Sequence, residues 1–295
     1  MSGALRTEWT AAADGGPILV GRSWVSAAAP ADVLLVHGLA EHSGRYEATA
    51  ATLAAAGLAV HAVDYRGHGL SEGIRVHVDS VDDYVADVRA ALAHVRRPGR
   101  PSFLLGHSQG GLVALLLALR SPEEVDGIVV TSPFLATHPE ARPSRLVRTA
   151  AAVLLRVAPR LTLPTHIDVS VLARDPAIGE AYARDPLVSH RASAGWLRAV
   201  TFAQREVRAG AGRLRVPALV MASGGDRLVD PETTRRFVSE APAGLVEFVW
   251  WEHSFHEMLN DLDRQAVLAR IVTWLGPRSS APALQRPGRA RADGA

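Results

Sequence analysis

A serine stands between two glycines, Gly106-His107-Ser108-Gln109-Gly110, where one apolar run gives way to another. Phe103-Leu104-Leu105 before it has the character of a buried strand. Gly111 to Arg120 after it carries Leu112, Leu115, Leu116 and Leu119 at helical spacing. A chain that passes from strand to helix in so few residues must turn sharply, and flanking side chains would obstruct the turn. Gly106 and Gly110 remove them. The serine is then lifted out of the core at the positive end of a helix, where the backbone N–H of Gln109 can face a developing oxyanion. Strand, turn and helix together read as a nucleophile elbow.

The apolar runs Val33 to Val36, Leu58 to Val63, Ser102 to Leu105, Gly127 to Thr131, Ala218 to Ala222 and Val246 to Trp250 read as strands buried on both faces, with helical patterns between most of them. That alternation predicts an α/β fold with a mostly parallel central sheet flanked by helices, whose sites lie beyond the carboxyl ends of the strands. Thr7 to Trp24 predicts an opening hairpin around Asp14-Gly15-Gly16-Pro17. From about Phe134 to Arg208 the alternation lapses into arginine-rich helical segments, read as a helical cap inserted after the sixth strand. Within it Leu146, Val147, Ala150, Val153, Leu154 and Val157 recur at helical spacing beside Arg145, Arg148, Arg156 and Arg160. A helix packed on the main domain accounts for this pattern, and transient contact with a lipid surface is a sharper expectation from it. The organisation expected is a core of residues 1–133 and 209–276, a cap of 134–208, and a disordered tail of 277–295 rich in Pro, Ala, Gly and Arg.

A balance of 48% hydrophobic to 21% charged residues is that of a globular protein. No apolar run approaches the length of a bilayer span and Met1 to Thr10 has no signal-peptide core, so a cytoplasmic location, peripheral to membrane where the cap touches it, is expected. The sequence pI near 9.5 does not imply nucleic-acid binding. Every basic residue is arginine and the net charge is only +2, so the high pI reflects the lack of lysine rather than a strong positive field. With no cysteine, disulfides, thiolate metal sites and a cysteine nucleophile are excluded. No cofactor or metal is implied by any motif.

A serine hydroxyl needs a base, and the base an orienting acid; on an elbow these follow in the order serine, acid, histidine, each after a late strand. Asp226 follows the run Ala218 to Ala222 through Ser223-Gly224-Gly225 and is the expected acid, whereas Asp230 before Pro231 reads as a helix cap. His256 and His253 both follow the strand ending near Trp250. His256 is the expected base, though spacing separates the two only narrowly. A second oxyanion donor is expected at Leu39 N–H, after Val33 to Val36, with the neighbouring His37 holding the loop. Asp64-Tyr65-Arg66-Gly67-His68-Gly69 reads as architectural, with Asp64 and Arg66 paired to fix it.

These residues resemble the monoacylglycerol lipases and lysophospholipase-like serine hydrolases of the α/β-hydrolase fold, over nearly the whole chain. The segments that carry the resemblance are His37-Gly38-Leu39-Ala40-Glu41-His42-Ser43-Gly44-Arg45-Tyr46, Asp64 to Gly73, Gly106 to Gly111, Ser223 to Val229, Phe255-His256-Glu257, and Ala173 to Leu187 in the cap. The resemblance implies Ser108 as nucleophile, Asp226 as acid and His256 over His253 as base, with backbone donors at Leu39 and Gln109. It implies a polar region for the glycerol end of a substrate at Glu41, His42 and Arg45, and a cap tyrosine near the leaving group at Tyr182. It implies a metal-independent hydrolase of monoacylglycerols or similar single-chain lipid esters, with lysophospholipase or general carboxylesterase as alternatives. A binding protein on the same scaffold is the non-catalytic alternative. Gln109 departs from the methionine common at its position, which raises the expectation that a polar side chain narrows or hydrates the acyl tunnel.

Overall fold

The computed structural model describes residues 5–141, 158–165, 167–280 and 283. Among these, eight strands form one sheet in the order β1-β2-β4-β3-β5-β6-β9-β10. β1 (Leu5–Ala11) and β2 (Leu19–Val25) make the antiparallel opening hairpin, and β2 runs antiparallel to β4 (Ala59–Asp64). From there every pairing is parallel: β4 with β3 (Asp32–Val36), β3 with β5 (Ser102–His107), β5 with β6 (Gly127–Thr131), β6 with β9 (Ala218–Ser223), and β9 with β10 (Val246–Trp251). Every residue of β3, β4, β5, β6 and β9 is buried, as unbroken apolar runs require when helices cover both faces. β10 is different. It closes the sheet with only β9 as neighbour, and its residues are half-buried or exposed, so Val246 to Trp250 is an apolar run that caps an edge rather than filling the centre.

The two faces hold separate cores. One packs α2 (Val81–Val95) and α3 (Gln109–Arg120) against the sheet through Val85, Val88, Leu112 and Leu116. The other packs α1 (Glu47–Ala55) through Leu53, and a C-terminal helix at Arg264–Ser279 through Leu268, Ile271 and Trp274. That helix continues past residue 276, so the first residues of the expected tail are ordered. Pro277 removes one backbone donor, but Ser279 Oγ donates to Leu275 O at 2.9 Å and Arg278 Nη1 to Trp274 O at 2.8 Å, holding the last turn.

Between β6 and β9 the described chain contains α4 (Pro176–Arg184), α5 (Ala194–Ala209) and a two-stranded ribbon of β7 (Thr162–Pro164) with β8 (Arg191–Ser193), which the sequence reading did not anticipate. α5 lies against α2 and α3 and buries Trp196, Val200 and Ala203 in the first core. The amphipathic pattern from Arg145 to Val157 lies outside the described residues. α6 (Pro231–Glu240) follows β9 and is capped by Asp230, whose carboxylate accepts from Glu232 N at 3.1 Å; the C-terminal helix is α7.

Candidate active site

Ser108 joins β5 to α3 with φ 51° and ψ −114°, a backbone conformation that L-residues rarely adopt. The turn is held open by its glycines. A Cβ on Gly106 would lie 2.5 Å from Gly110 O, and one on Gly110 would lie 2.0 Å from Val36 O. Backbone bonds fix the strained residue on both sides: Ser108 N donates to Thr131 O at 3.0 Å, and Ser108 O accepts from Leu112 N at 3.1 Å and Phe134 N at 2.9 Å.

His256 reaches the serine from the loop after β10. Its Nδ1–H donates to Asp226 Oδ2 at 2.7 Å, which leaves Nε2 to accept from Ser108 Oγ at 3.0 Å. Asp226 Oδ1 is held by the N–H groups of Leu228 (2.8 Å) and Val229 (2.9 Å), so the carboxylate presents one oxygen to the imidazole. Ser132 Oγ donates to His256 O at 2.9 Å and anchors the loop. Burial opposes the imidazolium, but the charge of Asp226 and its hydrogen bond outweigh burial and raise the His256 pKa. His107, with its ring centroid 4.8 Å from that of His256, is pushed down to about 3 by burial and by the His256 charge, so it stays neutral beside that imidazole. His253 is exposed, and these contacts belong to His256.

The loop after β3 comes up against Ser108: a Cβ on Gly38 would sit 3.3 Å from Ser108 Cβ. This brings the segment carrying Leu39 alongside Ser108, with Ala40 at φ 62° turning the chain away. His37 Nδ1 donates to Gly38 O at 2.8 Å and its ring stacks on Tyr65 at 4.2 Å. Burial lowers its pKa, and it serves the loop rather than the serine. Gln109 N–H is the first amide of α3, where a helix has no carbonyl of its own to bond.

Four further residues singled out in the sequence lie together. Glu41 Oε1 accepts from Gly38 N and from Tyr46 Oη, each at 2.6 Å, while Arg45 donates to Glu41 Oε2. Arg45 also grips Glu257 with two bonds of 2.8 Å, and its guanidinium lies 4.8 Å over the Tyr182 ring. Burial works against the charge of Glu41, but Arg45 more than compensates and its carboxyl pKa falls. His42 Nε2 pairs with Asp185 Oδ2 at 2.8 Å, joining the β3 loop to the residue after α4. Among the described residues the buried Tyr182 hydroxyl has no hydrogen-bond partner. Glu257 and Asp185 were given no role from the sequence. The signal for Glu257 was its place beside His256, and its partner Arg45, 212 positions away, was not visible. Among the described residues no group of three or more His, Cys, Asp or Glu side chains is placed to hold a metal ion.

A family model described as serine aminopeptidase, S33, matches residues 27–263. A monoacylglycerol lipase of Mycolicibacterium smegmatis is 33% identical, over 93% of this chain and 99% of its own. A monoglyceride lipase of Homo sapiens is 33% identical, over 92% and 91%. The crystal structure of Paleococcus ferrophilus monoacylglycerol lipase superposes with a TM-score of 0.78 at 31% identity, over 93% of this chain and 99% of that one. The chain belongs to the S33 serine hydrolases. Its sheet and flanking helices are those of the α/β-hydrolase fold.

Asp64 and Arg66 do not pair with each other. Asp64 accepts from Ser43 N at 2.7 Å and Leu70 N at 3.0 Å and lies 3.5 Å from Arg22 Nη1, whereas Arg66 bonds to Asp87 and Asp83 of α2. Asp64 points back under the β3 loop and Arg66 outward to the helix, so their closeness in sequence places them on different partners. The polar end of Gln109 does not hydrate an acyl tunnel either. Its Nε2 donates to Tyr65 Oη at 2.9 Å and its Oε1 accepts from Trp196 Nε1 at 2.5 Å, so both ends are bound by protein.

Proposed function

We propose that this chain hydrolyses monoacylglycerols, or closely similar single-chain lipid esters, to fatty acid and alcohol through an acyl-enzyme on Ser108. The observation that carries the reaction type is the continuous hydrogen-bonded chain from Ser108 through His256 to Asp226, mounted on a strained elbow. His256 takes the Ser108 proton as Oγ attacks the ester carbonyl, and the oxyanion that forms is met by the N–H groups of Leu39 and Gln109. Collapse expels the alcohol, which receives the proton from His256. Water then repeats the sequence on the acyl-enzyme, and Asp226 holds the imidazole tautomer throughout.

The substrate class rests on the relatives together with the polar cluster beside the triad. In this reading Tyr182, Arg45, Glu41 and His42 form the leaving-group side, with the unpartnered Tyr182 hydroxyl turned to a glycerol oxygen. An aminopeptidase, the activity in the family's description, needs a free carboxylate for the substrate ammonium. Glu41 uses its oxygens on Gly38, Tyr46 and Arg45, and Glu257 uses both of its own on Arg45 and one also on Asn260, which favours an uncharged polyol over an ammonium. The test is initial rates on a chain-length series of monoacylglycerols beside di- and triacylglycerols, lysophosphatidylcholine and an aminoacyl anilide, with Ser108→Ala as control. Preference for monoacylglycerol, lost in the variant, supports the reading. Preference for lysophosphatidylcholine or the anilide moves the assignment within the family.

The segment 134–208 acts as the cap of this site and touches lipid surfaces transiently. Exposed Leu161, Leu163, Leu197 and Phe202 on β7, α5 and the residue before β7 support this. No helix among the described residues is long and apolar enough to cross a membrane. Co-sedimentation with anionic vesicles tests the contact, and an unbound protein at low ionic strength removes it.

A further inference from the structure

We infer that the Gln109 side chain is a positioning residue that ties the cap helix to both oxyanion donors; this rests on the serine-hydrolase reading, with donors at Leu39 and Gln109. The argument begins with Trp196 on α5. An indole N–H can only donate, so the Gln109 atom facing it must be Oε1, and that fixes the amide with Nε2 toward Tyr65. Nε2 can only donate, so Tyr65 Oη accepts there and must direct its own proton elsewhere. It directs it to the carbonyls of His37 (2.8 Å) and Gly38 (3.1 Å). The order of donors and acceptors is therefore set from one end: Trp196 to Gln109, then Gln109 to Tyr65, then Tyr65 to the β3 loop.

Gly38 C=O belongs to the same planar peptide unit as Leu39 N–H, so a bond that orients the carbonyl orients the amide hydrogen on its far side. His37 Nδ1 grips the same oxygen at 2.8 Å. Gln109 thus touches both halves of the oxyanion site, one through its own backbone N–H and one through Tyr65 and the Gly38 carbonyl. The side chain is completely buried, as is Tyr65, and Trp196 is nearly so, which keeps water from substituting for any member of the chain. At the other end Trp196 sits at the start of α5, where Ser193 Oγ accepts from its backbone N at 3.0 Å and meets His77 Nδ1 at 2.9 Å. The position of the cap helix and the aim of the donors are linked by hydrogen bonds rather than by packing alone.

The test uses the full chain and p-nitrophenyl butyrate, an activated ester whose turnover needs the triad and oxyanion site but not the monoacylglycerol preference. Gln109→Met removes both side-chain bonds at similar length, and Tyr65→Phe removes only the hydroxyl. Each should lower kcat by about tenfold to a hundredfold, short of the roughly hundred- to thousandfold lost with a whole oxyanion donor, while KM stays within about twofold. Because they break one chain, the double variant should be no slower than the slower single, and Trp196→Phe should give a smaller loss, again in kcat. If Gln109→Met does not fold, Gln109→Glu takes its place: it keeps the acceptor for Trp196, cannot donate to Tyr65, and should match Tyr65→Phe. Variants that fold with kcat within about twofold of the parent, or losses that multiply in the double variant, overturn the inference. A parent that cleaves p-nitrophenyl butyrate but not monoacylglycerol defeats only the substrate assignment. A parent with no Ser108-dependent turnover defeats the site and this inference with it.

Discussion

Ser23, His61 and Asp32 form a second serine–histidine–aspartate chain within the same sheet. Ser23 Oγ lies 2.7 Å from His61 Nδ1, and His61 Nε2 lies 3.5 Å from Asp32 Oδ1. Exposure does not separate this set from the one at the elbow: 5%, 5% and 2% for Ser23, His61 and Asp32, against 7%, 5% and 2% for Ser108, His256 and Asp226. What separates them is the backbone and the charge around them. Ser23 is paired directly across from His61 within antiparallel strands, inside β2 rather than at a turn from strand to helix. Asp32 is already paired with Arg97, through Nε at 2.7 Å and the backbone N at 3.0 Å, so much of its charge is balanced before an imidazolium could form. Among the described residues the Asp226 carboxylate meets two backbone N–H groups besides His256, and its charge remains directed at the imidazole. The same three residue types are in contact in both places, and the proposed difference between a structural link and a nucleophile lies in the turn that presents the serine.

The largest effect expected from this contrast is on turnover. Ser108→Ala should reduce kcat by roughly a millionfold, as loss of a serine nucleophile does, and abolish labelling by a fluorophosphonate probe. Ser23→Ala should label fully and turn over within about twofold of the parent. Labelling that survived in the first variant and vanished in the second would invert the assignment. The acids sharpen the same comparison at a lower magnitude. Asp226→Asn should cost about 10⁴ in kcat by favouring the wrong imidazole tautomer. Asp32→Asn should leave kcat nearly untouched and instead weaken the fold by about 1–3 kcal/mol, read from urea unfolding, because the Arg97 contacts lose their charged partner.

The contrast also shows what a sequence of this kind carries. The central strands were legible because burial on both faces demands unbroken apolar runs, and Ser108, Asp226 and His256, which the fold brings into contact, each follow an apolar run, β5 and β9 in the centre of the sheet and β10 at its edge. β10 was misread for the same reason: Val246 to Trp250 is as apolar as a central strand, and only its place at the end of the sheet makes it an edge. The pairing of Asp64 with Arg66 failed because two residues close in sequence at a strand end face different neighbours, while Asp83 and Asp87 share one face of α2 and both meet Arg66. The partners of Gln109 lie 44 and 87 positions away, and no local pattern marks them.

A third test uses pH. The raised pKa of His256 means that the free base needed for attack is lost, as pH falls, through a midpoint above the ordinary histidine value of about 6.5. The acid limb of kcat/KM should report that midpoint. Measurable residual turnover in Asp226→Asn should show it moved down, and Asp32→Asn should leave it in place. Stability runs the other way. A histidine whose pKa is raised by folding adds stability that is fully present below the unfolded value and is lost as pH rises through the folded one. Urea unfolding of the parent against His256→Gln should therefore differ most below about pH 6.5 and converge on the alkaline side. The enzyme is most reactive where this contribution has gone. An acid limb that did not respond to Asp226→Asn would place the titrating base elsewhere.

The smallest effect isolates the backbone itself. Ser108 holds φ 51° and ψ −114°, a conformation that costs a non-glycine residue about 1–3 kcal/mol, while Ser23 lies in an ordinary strand. Replacing each serine by alanine and by glycine separates loss of the hydroxyl from relief of the backbone. At position 108 glycine should be more stable than alanine by about 1 kcal/mol, since it adopts the turn without strain. At position 23 the order should reverse by roughly 0.5–1 kcal/mol, since a strand glycine gains freedom only in the unfolded chain. Chemical denaturation of the four variants measures both differences. If glycine failed to exceed alanine at 108, the elbow would store no strain, and the readiness of Ser108 would have to be assigned to His256 and the oxyanion donors alone.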